Sequence, residues 1–189
     1  VEVVLASGAT GRAIAPSGAS TGRREALDLR DGGARLGGYG VSRALAGLNG
    51  EVAAALIGAD ADDQTAIDNA LIALDGTPQK QRLGGNACVA ASQAVAWAAA
   101  AHAGLPLWAH LRHLAALPDT PHIPAPMIQI FGGGAHAGGR VDIQDFLVIP
   151  MRAASFAEGV EWTAEVYMAA AALVKAERSL DGVSDVGVD

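Results

Sequence analysis

The stretch GGNACVAASQAVAWAAAAHAG, residues 84–104, is nearly apolar and rich in alanine, and it decides how the rest must pack. Its Ala, Val and Trp97 side chains leave almost no polar face, which predicts a helix from Asn86 to Ala103 that is buried among its neighbours. Because such a helix needs partners on every side, we expect it to lie at the centre of the fold.

The residues upstream of this helix predict a hairpin followed by two helices. Alternation over residues 1–5, the turn residues Ser7 and Gly8, and an extended stretch at Arg12–Ala15 predict two strands. Apolar positions recur every three or four residues from Val41 to Ile57, which indicates an amphipathic helix. A second helix is predicted from Asp62 to Leu74, with acidic residues at its start and Gly after its end.

The residues downstream predict a change of architecture. Four prolines between Pro118 and Pro126 mark a domain boundary near residue 120. PMIQIF predicts a buried strand and VDIQDFLVIP predicts a second strand, with the glycine loop GGGAHAGG between them, and a long helix follows from about Ser155 to Glu177. In the second strand Asp145 is expected in an otherwise apolar setting, beside Phe146.

Composition narrows the class of protein. The chain has 189 residues, is 51% apolar and has a net charge of −7, so it is globular, and clusters of Lys or Arg that would bind nucleic acid are missing. A single cysteine excludes an internal disulfide framework, and no apolar run reaches the roughly 18–20 residues of a membrane span. We therefore expect a soluble, cytoplasmic protein without a nucleic-acid or membrane partner, in which a local site with metal ions holds any anionic substrate.

The loop PSGASTG, Pro16 to Gly22, has no apolar anchor and is rich in hydroxyl groups. Small residues move easily and leave oxygen atoms available to a hard cation such as Mg²⁺. The residues alone fit a mobile lid over a site and a plain surface turn equally well.

Three long motifs resemble the enolase (phosphopyruvate hydratase) family, in the same order and at compatible spacing. They are PSGASTGRREALDLRDGG from Pro16, LGGNACVAASQAVAWAAAAHAGLPLWAHL from Leu83, and PAPMIQIFGGGAHAGGRVDIQDFLVIPMRAASFAEGVEWTAEVY from Pro124. The resemblance implies an α+β capping domain at residues 1–120, followed at 121–189 by the first strands and helix of a (β/α)8 barrel. It also implies a lyase that acts on a small phosphorylated carboxylate with Mg²⁺.

The resemblance also implies roles for four residues. Ser20 corresponds to the serine of the family's lid loop that helps to hold a second Mg²⁺, and His136 to an active-site histidine near the substrate phosphate. Asp145 and Asp189 stand at or next to family glutamates that assist departure of the substrate hydroxyl. Arg140 and the remaining histidines are not expected to take part in the chemistry.

The chain departs from the family pattern at several of these positions. Asp145 replaces a glutamate, which removes about 1.5 Å of reach, and a displacement of about 1 Å in a catalytic group lowers the rate roughly a hundredfold. Asp189 aligns either with the family glutamate or with the aspartate before it. Gly132 stands where the family has asparagine, and GGNA, residues 84–87, replaces GANA.

The resemblance places the catalytic lysine and three carboxylate ligands of the tightly bound Mg²⁺ on later barrel strands, beyond this chain. A (β/α)8 barrel takes about 250 residues, so we expect further residues downstream, and also upstream of the hairpin. Three functions remain open: an enolase of glycolysis, an enolase-like enzyme of specialised metabolism resembling carboxyphosphonoenolpyruvate synthase, or a catalytically silent homologue. In each case a homodimer or a larger even-numbered oligomer is expected.

Overall fold

The computed structural model describes residues 1–18, 22–117 and 120–176, with the backbone alone at residues 135 and 136. By its contacts the chain divides into two compact units, Val1–Asp119 and Thr120–Asp189.

The first unit begins with an antiparallel hairpin of two short strands, β1 (Glu2–Val4) and β2 (Thr10–Arg12), in which Val3 lies opposite Gly11. The predicted hairpin is confirmed, but the position of its second strand, Arg12–Ala15, was wrong. Gly8 closes a tight turn at φ +86° and donates to Leu5 O at 2.8 Å, so that pairing resumes earlier in the chain.

The predicted helix at 41–57 is confirmed in extent but is not uniform. It consists of α1 (Ser42–Gly47), a π-helical turn at Leu48–Val52, and α2 (Ala53–Leu56). Asp31 accepts hydrogen bonds from the free N–H groups of Ser42, at 3.0 Å, and of Arg43, at 2.9 Å. These bonds lower the pKa of Asp31, as expected of a carboxylate at a helix N-terminus.

The next helix, α3 (Gln64–Asp75), agrees with the prediction to within two residues. Its N-cap is Asp63, whose side chain accepts a hydrogen bond from the N–H of Ala66 at 2.8 Å. Gly76 ends it in the left-handed conformation at φ +70°. Both terminating residues are readable in the sequence, which explains the accuracy of the prediction.

Helix α4 (Gly85–His102) is the centre of the first unit, as predicted. Hairpin strand β2 lies so close to it that a β-carbon on Gly11 would overlap the backbone of Ala94 and Ala98, both of which are fully buried. The prediction that α4 is buried on every side was wrong for one stripe of the helix, where Val89 and Trp97 are exposed. The principal core cluster comprises Val52, Ile67, Leu71, Leu83, Cys88, Ala91 and Val95.

A short helix, α5 (Leu107–Leu114), follows α4 after a tight turn at Gly104. In the part of the chain that the structure describes, no single helix has the length and apolar character to cross a membrane. Only α4 and α5 taken together pass that test, and the two are bent by 102° at the break between them.

The second unit contains an antiparallel pair, β3 (Ile128–Gly132) and β4 (Asp145–Val148), followed by the helix α6 (Phe156–Ala176). The predicted order of two strands and a helix is confirmed. The second strand is only four residues long, whereas the prediction extended over 141–150. The described residues of this unit therefore contain a single two-stranded sheet and no closed barrel.

Candidate active site

The β3–β4 hairpin carries two of the four predicted site residues. Its strands are joined through a 3-10 turn at Gly134–Ala137. Two short backbone hydrogen bonds hold the turn, from Gly133 N to Gln144 O and from Gly134 N to Val141 O, both at 2.7 Å. A β-carbon on Gly133 would overlap the carbonyl oxygen of Ile143, so only glycine fits at this position.

Asp145 is the first residue of β4 and lies opposite Gly132 in the register. The next residue, Phe146, packs edge-to-face on Phe131, with ring centroids 6.4 Å apart. The expected apolar setting of Asp145 was wrong, because both Asp145 and Phe146 are exposed in the structure. The strand carries apolar residues, but they do not surround the carboxylate.

His136 lies in the 3-10 turn, where only its backbone is described. The turn is fastened by Gly139 N, which donates to Gly134 O at 2.9 Å, and by Arg140 Nε, which donates to Ala137 O at 3.0 Å. Arg140 therefore stabilises the end of the turn through its side-chain hydrogen bond. The hairpin places the backbone of His136 and Asp145 on the two sides of one loop, held by the bonds at Gly133 and Gly134.

The other two predicted site residues, Ser20 and Asp189, lie outside the described residues, and their roles stay predictions. Within residues 1–18, 22–117 and 120–176, no three carboxylate, imidazole or thiol groups come together as a metal site would require.

Two family models match the chain, and together they span nearly all of it. The model described as the enolase N-terminal domain matches residues 1–111. The chain belongs to the enolase family. The model described as the enolase C-terminal TIM barrel domain matches residues 120–188. The enolase N-terminal domain therefore corresponds to the first unit, whose β-hairpin and helices confirm the predicted α+β class, and the β3–β4 hairpin and α6 belong to the start of the enolase barrel.

Sequence reasoning missed a polar network in the enolase N-terminal domain, on the segment that follows the Pro16–Gly22 loop. The side chains involved are Gln79 and Asn86, which contact residues more than fifty positions away. Asp75, predicted only as the end of a helix, is 3% exposed and accepts from the N–H groups of Thr77, Arg82 and Leu83. In the sequence this network is signalled only by an aspartate next to the glycine that ends a helix, Asp75 before Gly76.

These hydrogen bonds determine the direction in which the pKa of Asp75 is shifted. Burial by itself raises the pKa of Asp75, but the hydrogen bonds from Leu83, Thr77 and Arg82 together outweigh burial and lower it. The carboxylate is thus held in its charged form at neutral pH, where it braces the loop between α3 and α4.

Proposed function

We propose that this protein is a hydro-lyase that catalyses the reversible dehydration of 2-phosphoglycerate to phosphoenolpyruvate. The observation that carries the proposal is membership of the enolase family across both the capping and the barrel domains. We further propose that the enzyme acts in glycolysis, in the cytoplasm, and as a homodimer or a larger even-numbered oligomer.

We propose the following roles for the residues of this chain. His136 binds near the substrate phosphate, where the surrounding glycines allow the backbone to approach closely. Asp145, and Asp189 near the end of the chain, assist departure of the substrate hydroxyl as acids. A carboxyl group in this role must donate a proton at the leaving oxygen, so its reach and protonation state govern the rate.

Mg²⁺ is the proposed cofactor, and Ser20 is the residue of this chain proposed to contact it. When bound, the metal ion would supply positive charge against the negative charge that develops on the substrate carboxylate.

A second candidate function rests on Asp145. The motif of this chain has aspartate where the resemblance implies glutamate, and the structure leaves that carboxylate exposed on a short strand. An enzyme of specialised metabolism that acts on a phosphonate analogue, like carboxyphosphonoenolpyruvate synthase, would have a site built around the shorter side chain. A catalytically silent enolase homologue is the third possibility.

Steady-state rates on phosphoenolpyruvate test the glycolytic assignment. Asp145→Asn removes an ionisable group but keeps the shape, so turnover should fall by about a hundredfold or more while substrate still binds. Asp145→Glu should preserve or raise the rate in a glycolytic enolase, and should lower turnover of the true substrate in the specialised enzyme. Asp142→Asn, three residues earlier and also exposed, is the matched control. A wild type that is inactive on phosphoenolpyruvate, with no rescue by Asp145→Glu, would exclude the glycolytic assignment.

A further inference from the structure

A β-bulge in β3 changes which of its side chains share a face of the β3–β4 hairpin. Gln129 lies opposite Leu147, and Phe131 lies opposite Phe146. Between these pairs β3 advances by two residues, whereas β4 advances by only one. The extra residue moves all later side chains of β3 to the face that they would otherwise not occupy. The bulge therefore decides what surrounds the end of β3.

The bulge brings Gln129 onto the same face as Asp145. Asp145 lies opposite Gly132, and cross-strand partners project to the same face. Leu147 projects to that face as well, because alternate side chains of a strand share a face, and Gln129 is its cross-strand partner. In a regular strand Gln129 and Gly132 would project to opposite faces, since they are three positions apart. Gln129 and Asp145 therefore face the same space.

The side chain of Gln129 is directed towards Gly132, and so towards the position opposite Asp145. Its Nε2 lies 3.0 Å from the point where a β-carbon on Gly132 would stand. The β-carbons of cross-strand partners are about 4.5–5.5 Å apart. The amide of Gln129 and the carboxyl group of Asp145 thus lie within reach of a single small molecule, with no side chain from position 132 between them.

The amide of Gln129 is available to a ligand. Gln129 is exposed, and its Nε2 donates a hydrogen bond of 3.3 Å to Phe131 O. This bond is longer than the usual length of about 2.9–3.0 Å, and a side-chain amide has a second N–H to donate. Asp145 is exposed as well. Both groups are therefore open to a molecule that enters from the same face of the hairpin.

We propose that Gln129 is a specificity-determining residue, which donates a hydrogen bond to the leaving hydroxyl of the substrate. The inference rests on the proposed function, in which Asp145 gives a proton to that same oxygen. Because the aspartate side chain is short, a donor on the longer Gln129 side chain holds the oxygen where Asp145 can protonate it. A site that binds a hydroxyl in this way discriminates against a molecule that lacks one.

Two properties of the Gln129 amide favour the hydroxyl over the phosphate and the carboxylate of the substrate. The amide shares its face with Asp145, which the proposed function places at the leaving oxygen. The amide is also uncharged, so it supplies no positive charge to offset the repulsion between a carboxylate at Asp145 and an anionic group of the substrate. The neutral hydroxyl is therefore the group that suits both side chains.

Two compounds that differ in this hydroxyl test the inference: 2-phosphoglycerate, and 2-phospholactate, in which a methyl group replaces the hydroxymethyl group. Gln129→Met keeps an unbranched side chain of similar length but removes both N–H donors. We expect the affinity for 2-phosphoglycerate to fall about fivefold, the effect of one ordinary hydrogen bond, and the affinity for 2-phospholactate to stay within about twofold of wild type. Isothermal titration calorimetry measures both, and the KM replaces the dissociation constant where 2-phosphoglycerate is turned over.

Gln93→Met is the matched control, because Gln93 is exposed on α4, outside the β3–β4 hairpin. It should leave both affinities unchanged. Gln129→Leu serves as the second variant if Gln129→Met does not fold, and circular dichroism identifies that case. The role of Gln129 would be overturned if both compounds lost affinity equally in the position 129 variants, or if neither did.

Failure of the proposed function gives a different result. A wild type that binds 2-phosphoglycerate without turning it over would count against the proposed function, while the ratio of the two affinities in Gln129→Met would still decide the role of Gln129. A wild type that binds neither compound would overturn both.

Discussion

Substitution of Gly133 by alanine should disable the candidate active site, whereas the same change at the adjacent Gly132 should not. The β-carbon of an alanine at 133 would overlap the carbonyl oxygen of Ile143 and lie 3.0 Å from Val141 O. At Gly132 the nearest atom is Gln129 Nε2, also at 3.0 Å, which is the end of a flexible side chain held by an exposed 3.3 Å hydrogen bond to Phe131 O. The side chain next to Gly132 can therefore move away from an added β-carbon, whereas the backbone atoms next to Gly133 cannot.

The magnitude follows from what must move. Contact with a carbonyl oxygen is acceptable only beyond about 3.4 Å, so the backbone at 133 has to retreat by about 1 Å or more. This retreat breaks the 2.7 Å bonds from Gly133 N to Gln144 O and from Gly134 N to Val141 O. At about 1 kcal/mol each, their loss lowers the free energy of unfolding by about 2 kcal/mol. A protein of this length should then melt about 4–8 °C lower.

Activity should respond more strongly than stability. A shift of about 1 Å in the loop that carries His136 would reduce kcat roughly a hundredfold. Thermal unfolding and steady-state rates of Gly133→Ala and Gly132→Ala measure both effects, and hydrogen exchange at the Gly134 amide reports on the broken bond. The reasoning fails if Gly133→Ala melts and turns over like wild type, or if both variants are damaged equally.

Two further predictions concern the first unit and the assembly. Asp75→Asn should lower the free energy of unfolding by about 2–3 kcal/mol at pH 7, since an amide cannot accept from Arg82, Leu83 and Thr77 together. The pKa of Asp75 is lowered in the folded state. Its contribution to the free energy of unfolding is therefore complete above about pH 4 and is lost as the pH falls further. Chemical unfolding from pH 7 to pH 2 should thus show a flatter acid limb for Asp75→Asn than for the exposed Asp62→Asn. Sedimentation of the protein should give an even-numbered oligomer, and a monomer at all concentrations would contradict the proposed assembly.

Local signals in the sequence predicted most of the helices, because residues that start or end a helix stand next to it in the sequence. Asp63 and Gly76 terminate α3 through contacts within four residues, and those contacts are visible in the sequence. The π-helical turn at Leu48–Val52 has no such signal. The prediction of a single helix at 41–57 used an apolar spacing that includes Leu45, but Leu45 is exposed and Ala44 is buried instead.

The polar network of the first unit was harder to predict, because its side chains contact residues that are distant in the sequence. Gln79 and Asn86 are ordinary polar residues until the fold brings Arg23–Leu29 beside them, across 54 to 57 positions of sequence. Likewise, the apolar residues next to Asp145 in the sequence led to the prediction of an apolar setting for its carboxylate. In a strand alternate side chains point to opposite faces, so sequence neighbours do not describe a side chain's surroundings.

The close approach of β2 to α4 limits how this family member can change over evolutionary time. Gly11 lies against the bare backbone of Ala94 and Ala98, so that no atom separates strand from helix at this point. Any side chain at position 11 would require a shift of the whole hairpin away from the helix. Because no residue is smaller than glycine, position 11 has no neutral intermediate and should change only if the hairpin itself moves.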